Sequence, residues 1–183
     1  MAEAKAYGEA QSYNAPLGTE VYVFSDDNRI PNNTLPLVVR RGAITPDSND
    51  PPSAFERVFE KNGWTNTWRD GIFDYHHYHS NAHEVLGIVS GTATVMFGGE
   101  GGETIPLTPG DVVVIPAGVG HALINDSGEL AVVGAYAGGV EPDIIRDDPP
   151  AIVAARKRVA AVPLPDTDPI DGANGPLAKL WSL

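Results

Sequence analysis

Between residues 71 and 136 the chain is interrupted every few positions by Gly, Pro, Asn or Asp. The stretches left between the breaks, EVLGIVSG, TATVMFGG, ETIPL, DVVVIPAG, HALIN and ELAVVGAY, are apolar and rich in β-branched residues. Runs this short cannot complete an amphipathic helix, but they have the length of strands. A succession of short strands joined by tight turns closes on itself as a sandwich or barrel. No fixed repeat length links the stretches, which argues against a solenoid or propeller. With 20 Gly, 16 Pro and 42% hydrophobic residues, the chain has the turn formers for such a fold and is too apolar to stay disordered. At 183 residues it reads as one domain, long enough to bury roughly 70% of its unfolded surface. The expected fold class is therefore all-β, with a few short flanking helices.

The flanks are less regular. Residues 1–19 are small and polar without a period, and read as a flexible arm or one lying on a neighbouring subunit. VYVF after Glu20 and LPLVVR before Arg41 are strand candidates that extend the central sheet. Residues 47–52 read as a turn. Ser53 then caps a helix with Glu56 as its partner, Phe55, Val58 and Phe59 share one face, and Gly63 stops it. Trp64 and Trp68 are expected to cover the core or an interface. Pro149 and Pro150 open a second helix, AIVAARKRVAAV, whose Arg156, Lys157 and Arg158 read as a solvated face near a helix C-terminus. Trp181 is expected to anchor the tail.

Charge and composition remove several functions. The net charge of −12 and the absence of any Lys/Arg-rich run longer than residues 156–158 leave too little to neutralise phosphates, so neither nucleic acid nor an anionic membrane is an expected partner. Without cysteine there is no disulfide, thiolate ligand or thiol nucleophile, and any metal must be held by nitrogen and oxygen. The first residues lack the apolar core of a signal peptide, and a cytoplasmic location is the expectation.

All five histidines lie at positions 76, 77, 79, 83 and 121. In an extended strand, residues two apart face the same way at roughly 6.6 to 6.8 Å, so His77 and His79 can converge on one ion. Glu84 opens the next apolar run and can return a carboxylate to that point, and His121 can supply a third imidazole from another strand. Three imidazoles and a carboxylate suit Fe, Mn, Zn, Ni or Cu as a single divalent ion. Alternation turns His76 away from His77 and His83 away from Glu84. His76 is read as outward-facing or at an interface, and His83 as structural. Gly91, Gly110, Gly118 and Gly120 are read as turn or close-approach positions, and Asn125 as an Asx turn.

Gly71, His77, His79, Glu84 and Gly91, followed by Gly110, Pro116, Gly118, His121 and Asn125, reproduce in spacing and order the two motifs of the cupins. The stretches NGWTNTWRDGIFDYHHYHSNAHEVLGIVSG, DVVVIPAGVGHALI and VVGAYAGG resemble the YjlB-like cupins in particular. The resemblance implies a cupin double-stranded β-helix, or jelly-roll barrel, over residues 20–183. Its metal-site core would span residues 71–140 and its C-terminal helix and tail residues 141–183. It also implies His77, His79, Glu84 and His121 as ligands of one divalent transition metal ion, and a homodimer. Oxidoreductase chemistry of the dioxygenase type, on a small anionic or oxygen-chelating molecule, is the function it favours. A non-catalytic metal- or metabolite-binding module and a non-redox isomerase or decarboxylase are the alternatives. Arg69, Tyr75 and Tyr136 are candidate pocket groups.

Overall fold

A computed structural model describes residues 5–7 and 16–182. The strands are β1 Lys5–Tyr7, β2 Thr19–Phe24, β3 Asn33–Arg40, β4 Trp64–Asp70, β5 His77–Tyr78, β6 Glu84–Ser90, β7 Ala93–Phe97, β8 Glu103–Leu107, β9 Val112–Ile115, β10 His121–Asp126, β11 Ala131–Ala137 and β12 Ile145–Arg146. Each short apolar run between residues 84 and 137 is a strand, as its length and composition require. The arm expected over residues 1–19 lies largely outside the described residues, although β1 within it pairs with β2.

The strands form two antiparallel sheets. One has the order β1-β2-β3-β9-β6-β11-β4 and the other β12-β5-β10-β7-β8. Side-chain alternation explains how they stack. On β6, Leu86 and Ile88 join Val95, Phe97, Ile105, Val113 and Ile115 in the core between the sheets. Val85 and Val89 face the other way, into a second core with Val112, Val114, Phe55, Phe59, Trp64 and Trp181. Strands buried on both faces must be apolar throughout, which is why β9 reads VVVI without alternation. The same alternation puts Glu84 on the inner side with Leu86, and His83 on the outer side with Val85.

The outer core is covered by helix α1, Pro51–Lys61. Ser53 does not cap it. The N-cap is Asp50, and Pro51 and Pro52 occupy the first helical positions, where a missing N–H costs nothing. Ser53 sits inside the first turn, its hydroxyl donating to the Asp50 carbonyl at 2.8 Å. Glu56 pairs with Arg69 instead of closing a capping box. Gly63 follows the C-cap Asn62 with φ +78, as a helix stop. Helix α2, Ile152–Ala161, follows a single turn begun by Pro149, and α3 is Leu177–Leu180. Trp181 is buried in the outer core and donates from Nε1 to the Pro36 carbonyl at 2.8 Å, so it anchors the tail within the chain. Among the described residues no helix is long and apolar enough to cross a membrane.

Candidate metal centre

His77 opens β5 and lies opposite His121, the first residue of β10, in the antiparallel register. Directly opposed residues point to the same face, and both rings enter the space between the sheets. Their centroids are 4.1 Å apart, with His79 5.7 Å from each. One ligand atom from each of the three histidines lies within 4.8 Å of the others, and all three residues are buried. Three buried imidazoles at that separation could bind a metal ion.

The rings are held by backbone. His77 Nδ1 meets the Tyr75 carbonyl at 3.1 Å, His79 Nδ1 the Asp143 carbonyl at 2.5 Å, and His121 Nδ1 the Val119 carbonyl at 3.1 Å. A carbonyl can only accept, so each Nδ1 carries the proton and each Nε2 is the atom left for the shared centre. Glu84 enters from β6 in the other sheet. Its Oε2 lies 3.1 Å from His79 Nε2 and 3.3 Å from His121 Nε2. The Gly118 N–H donates to the His79 carbonyl at 2.8 Å. Gly118 has φ +86, and a Cβ there would lie 2.6 Å from the Asn32 carbonyl oxygen. Only glycine lets the PAG turn close on the cluster in this way. Gly91 and Gly110 likewise have positive φ, and Gly120 packs close to Ile30, as read from the sequence.

Burial opposes charge on His77, His79 and Glu84, and neighbours decide which of them carry it. Burial, followed by the proximity of His121, pushes His77 down to about 3, so it is neutral near pH 7. Burial also works against a charge on His79, but the Glu84 carboxylate outweighs it and raises His79 above its ordinary value. Burial favours a neutral Glu84, yet the charges of His79 and His121 and the hydrogen bonds from them hold it well below the usual carboxylate range. Burial and then the Glu84 charge raise the Tyr136 phenol, which stays protonated.

Asp143 supports His79 beyond its carbonyl. Its carboxylate accepts from the Ser80 N–H at 2.6 Å and from the Ser80 hydroxyl, and its own N–H donates to Asn81 Oδ1 at 2.9 Å. Arg158 of α2 donates to Ser80 Oγ at 2.6 Å and approaches the Asp143 carboxylate at 3.6 Å. Arg158 is thus a brace, not part of a purely solvated face. Arg156 pairs with Asp26. Neither Asp143 nor Arg158 was signalled by the sequence.

The cluster forms the floor of a chamber of about 310 Å³, whose walls include Trp68, Ile72, Phe73, Leu86, Tyr136 and Ile144. Arg69 and Tyr136 both line it. Trp68 Nε1 donates to the Tyr136 hydroxyl at 3.0 Å, so Trp68 packs on the core and also faces the chamber. Tyr75 is not among the lining residues; its ring stacks on Phe73. His76 does not join the cluster and is half-buried, with Nδ1 buried and lacking a hydrogen-bond partner. His83 is buried behind the inner sheet face, where its Nδ1 accepts from the Ala117 N–H at 2.9 Å and its ring lies 4.8 Å from Trp181. That is a structural role. Asn125 makes no Asx turn. It is paired with Thr94 in β10 beside a bulge, and the turn's side-chain acceptor is Asp126, bonded to the Gly128 N–H.

A family model described as the cupin domain matches residues 70–135. The uncharacterized protein YjlB of Bacillus subtilis strain 168 is 45% identical over 164 residues, which span 89% of this chain and 96% of that one. Two solved structures share 20% identity and a TM-score of 0.39 with this chain. One is the acireductone dioxygenase from Bacillus anthracis with cadmium ion in its active center, matched over 51% of this chain and 62% of that one. The other is the TDP-quinovose 3,4-ketoisomerase WlaRB from Campylobacter jejuni, matched over 51% of this chain and 75% of that one.

Proposed function

Because the chain belongs to the YjlB-like family of cupins, we propose that it is a metal-dependent enzyme of the dioxygenase or oxidoreductase type. On this reading it holds one divalent transition ion through His77, His79, Glu84 and His121 and acts on a small organic molecule that offers oxygen donors. The observation that carries the reading is the set of three buried imidazoles, each with Nδ1 on a carbonyl and Nε2 left for a common point. Glu84 is taken as the fourth donor on its distances to two of the rings, the group of mutually close ligand atoms being the three histidines alone. Ligands at about 2.0 to 2.2 Å from an ion and at right angles stand about 3 Å apart, and Glu84 Oε2 is 3.1 and 3.3 Å from two Nε2 atoms. Nitrogen and carboxylate donors without sulfur suit Fe, Mn, Zn, Ni or Cu.

The bound ion would supply Lewis acidity, and with a redox-active metal oxygen chemistry, at positions open to the chamber. Three neutral imidazoles and one carboxylate leave a divalent site with a net positive charge, which attracts an anionic oxygen head. His77, already neutral near pH 7, offers its lone pair without losing a proton. His79 Nε2, 3.1 Å from Glu84 Oε2, would have to be free of its proton to serve as a donor to the ion. Tyr136 holds a phenolic proton at the chamber wall, its hydroxyl oriented by Trp68, within reach of a bound molecule.

Metal analysis after reconstitution with each of the five ions tests the site, and the absence of a stoichiometric ion overturns it. In the wild type, an ion at about 100 times its Kd adds about 2.7 kcal/mol of stability, or roughly 5 to 10 °C in Tm for a chain of this size. His77→Ala and His121→Ala are expected to lose both the ion and this shift. Oxygen-uptake screening of the loaded protein with carboxylates, diketones and catechols tests catalysis. A blank across all metals favours a non-catalytic binding module. The proposal extends to a cytoplasmic homodimer, which a monomer in light scattering removes.

A further inference from the structure

The chamber above the proposed metal site is charged asymmetrically. Arg69, the cation in its lining, is already committed: its Nε and Nη2 donate to Glu56 at 2.6 and 2.7 Å, and its two terminal nitrogens reach Asp50 at 3.2 and 3.4 Å. Arg146 lies 3.8 Å over the Tyr75 ring, and neither residue is among those lining the chamber. Asp70, which does line it, repels a second anion. Beyond the proposed ion, then, the lining offers a bound molecule no uncommitted positive charge among the described residues. It offers apolar surface instead. Phe73 is 46% exposed and Ile144 53% exposed, and the two come from different loops of the chamber lining. Large apolar side chains left in water at a pocket mouth are the surface a ligand's apolar part would cover.

We infer that the substrate carries its oxygen donors at one end, on the ion, and an uncharged apolar body about the size of an aryl ring at the other, lodged against Phe73 and Ile144. Diacids and other doubly anionic molecules are disfavoured, because their second charge would face the Asp70 carboxylate with no uncommitted cation in the lining to pair with it. The chamber of about 310 Å³ is at the small end of ligand pockets, which limits the body to a single ring or a short branched chain. The inference rests on the metal reading above.

The test uses the full chain loaded with Co(II), titrated with acetohydroxamate, benzohydroxamate and malonate while the visible spectrum of the cobalt is followed. Benzohydroxamate is expected to bind at least about ten-fold more tightly than acetohydroxamate, the equivalent of about 1.4 kcal/mol, and malonate more weakly than benzohydroxamate. The double variant Phe73→Leu with Ile144→Ala keeps an apolar side chain against the His77 ring, on which Phe73 packs edge-on at 5.1 Å, while removing the aromatic face and the branched chain at the mouth. It is expected to keep its cobalt and its acetohydroxamate affinity and to lose the preference for the aryl group. Equal affinities in the wild type, a preference that survives the double variant, or malonate binding as tightly as benzohydroxamate overturns the inference while leaving the metal site standing. A protein that takes up no cobalt overturns the metal reading and this inference with it.

Discussion

His83 provides a test of the barrel's interior that is independent of any ion. Burial pushes its imidazole down to about 4 from an ordinary 6.5, and the Pro163 carbonyl offsets this only in part. That carbonyl is near the ring but not placed to accept a hydrogen bond, since Nε2 has no partner. The sign follows from the folded value lying below the unfolded one. The folded protein keeps His83 neutral, so once the pH falls below 6.5 the unfolded chain binds the proton more readily and stability drops until the folded value of about 4 is passed. Between about pH 6.5 and about pH 5, at about 1.36 kcal/mol per pH unit, His83 accounts for a loss of about 2 kcal/mol. His77 contributes a loss of the same sign, so the comparison must be between variants. His83→Asn keeps an acceptor for the Ala117 N–H but gives up the ring's packing on Trp181, and is expected to be about 2 kcal/mol less stable near pH 7. Urea unfolding of chelator-treated protein at about pH 7 and about pH 5 gives both numbers. The variant should show an acid-induced loss smaller than the wild type's by about 2 kcal/mol. Parallel losses in the two proteins would mean that His83 titrates freely and that its place behind the sheet is wrong.

Two further outcomes follow from contacts around the site. Asp143→Ala removes the carboxylate that Ser80 and Arg158 hold and so loosens the carbonyl against His79 Nδ1; metal affinity in a chelator competition should fall about 10- to 100-fold with the far-ultraviolet circular dichroism unchanged, and undiminished affinity would show that the carbonyl needs no brace. Gly87→Ala would place a Cβ 2.3 Å from the Phe55 ring, and should cost about 1 to 3 kcal/mol of stability, measurable as a lower urea midpoint; a neutral result would mean that α1 is free to shift outward.

The candidate site was legible where the placing of its residues depends on alternation and spacing. His77 and His79 share a parity, Glu84 shares the inward parity of Leu86 and Ile88, and the Gly/Pro turn before His121 marks a strand start. Those features are local, and one sequence displays them. The braces were not legible because their partners are distant. Arg158 reads as one charge in a basic helical turn until Ser80, far back in the chain, is seen to receive its Nε–H. Asp143 acts on His79 through a main-chain oxygen, which no residue type advertises. The start of α1 was misplaced because Ser53 fits a capping pattern, while the two prolines before it fit the first helical turn better. Asn125 was misplaced because a bulge between Leu123 and Asn125 shifts the turn by one residue, and a bulge leaves no composition signal.

The brace on His79 also bears on the order in which the molecule is made. His77, His79 and Glu84 leave the ribosome early, and His121 after them, but Asp143 and then Arg158 follow only once most of the barrel has been synthesised. Until they arrive, His79 lacks the carbonyl that fixes its tautomer, and the half-made chain offers only a loose pair or triad of rings. On the reading proposed above, metallation is therefore a late event in the life of the nascent chain. The closing of α2 over Ser80 would be the step that turns a weak, unselective chelating peptide into a finished seat for one ion.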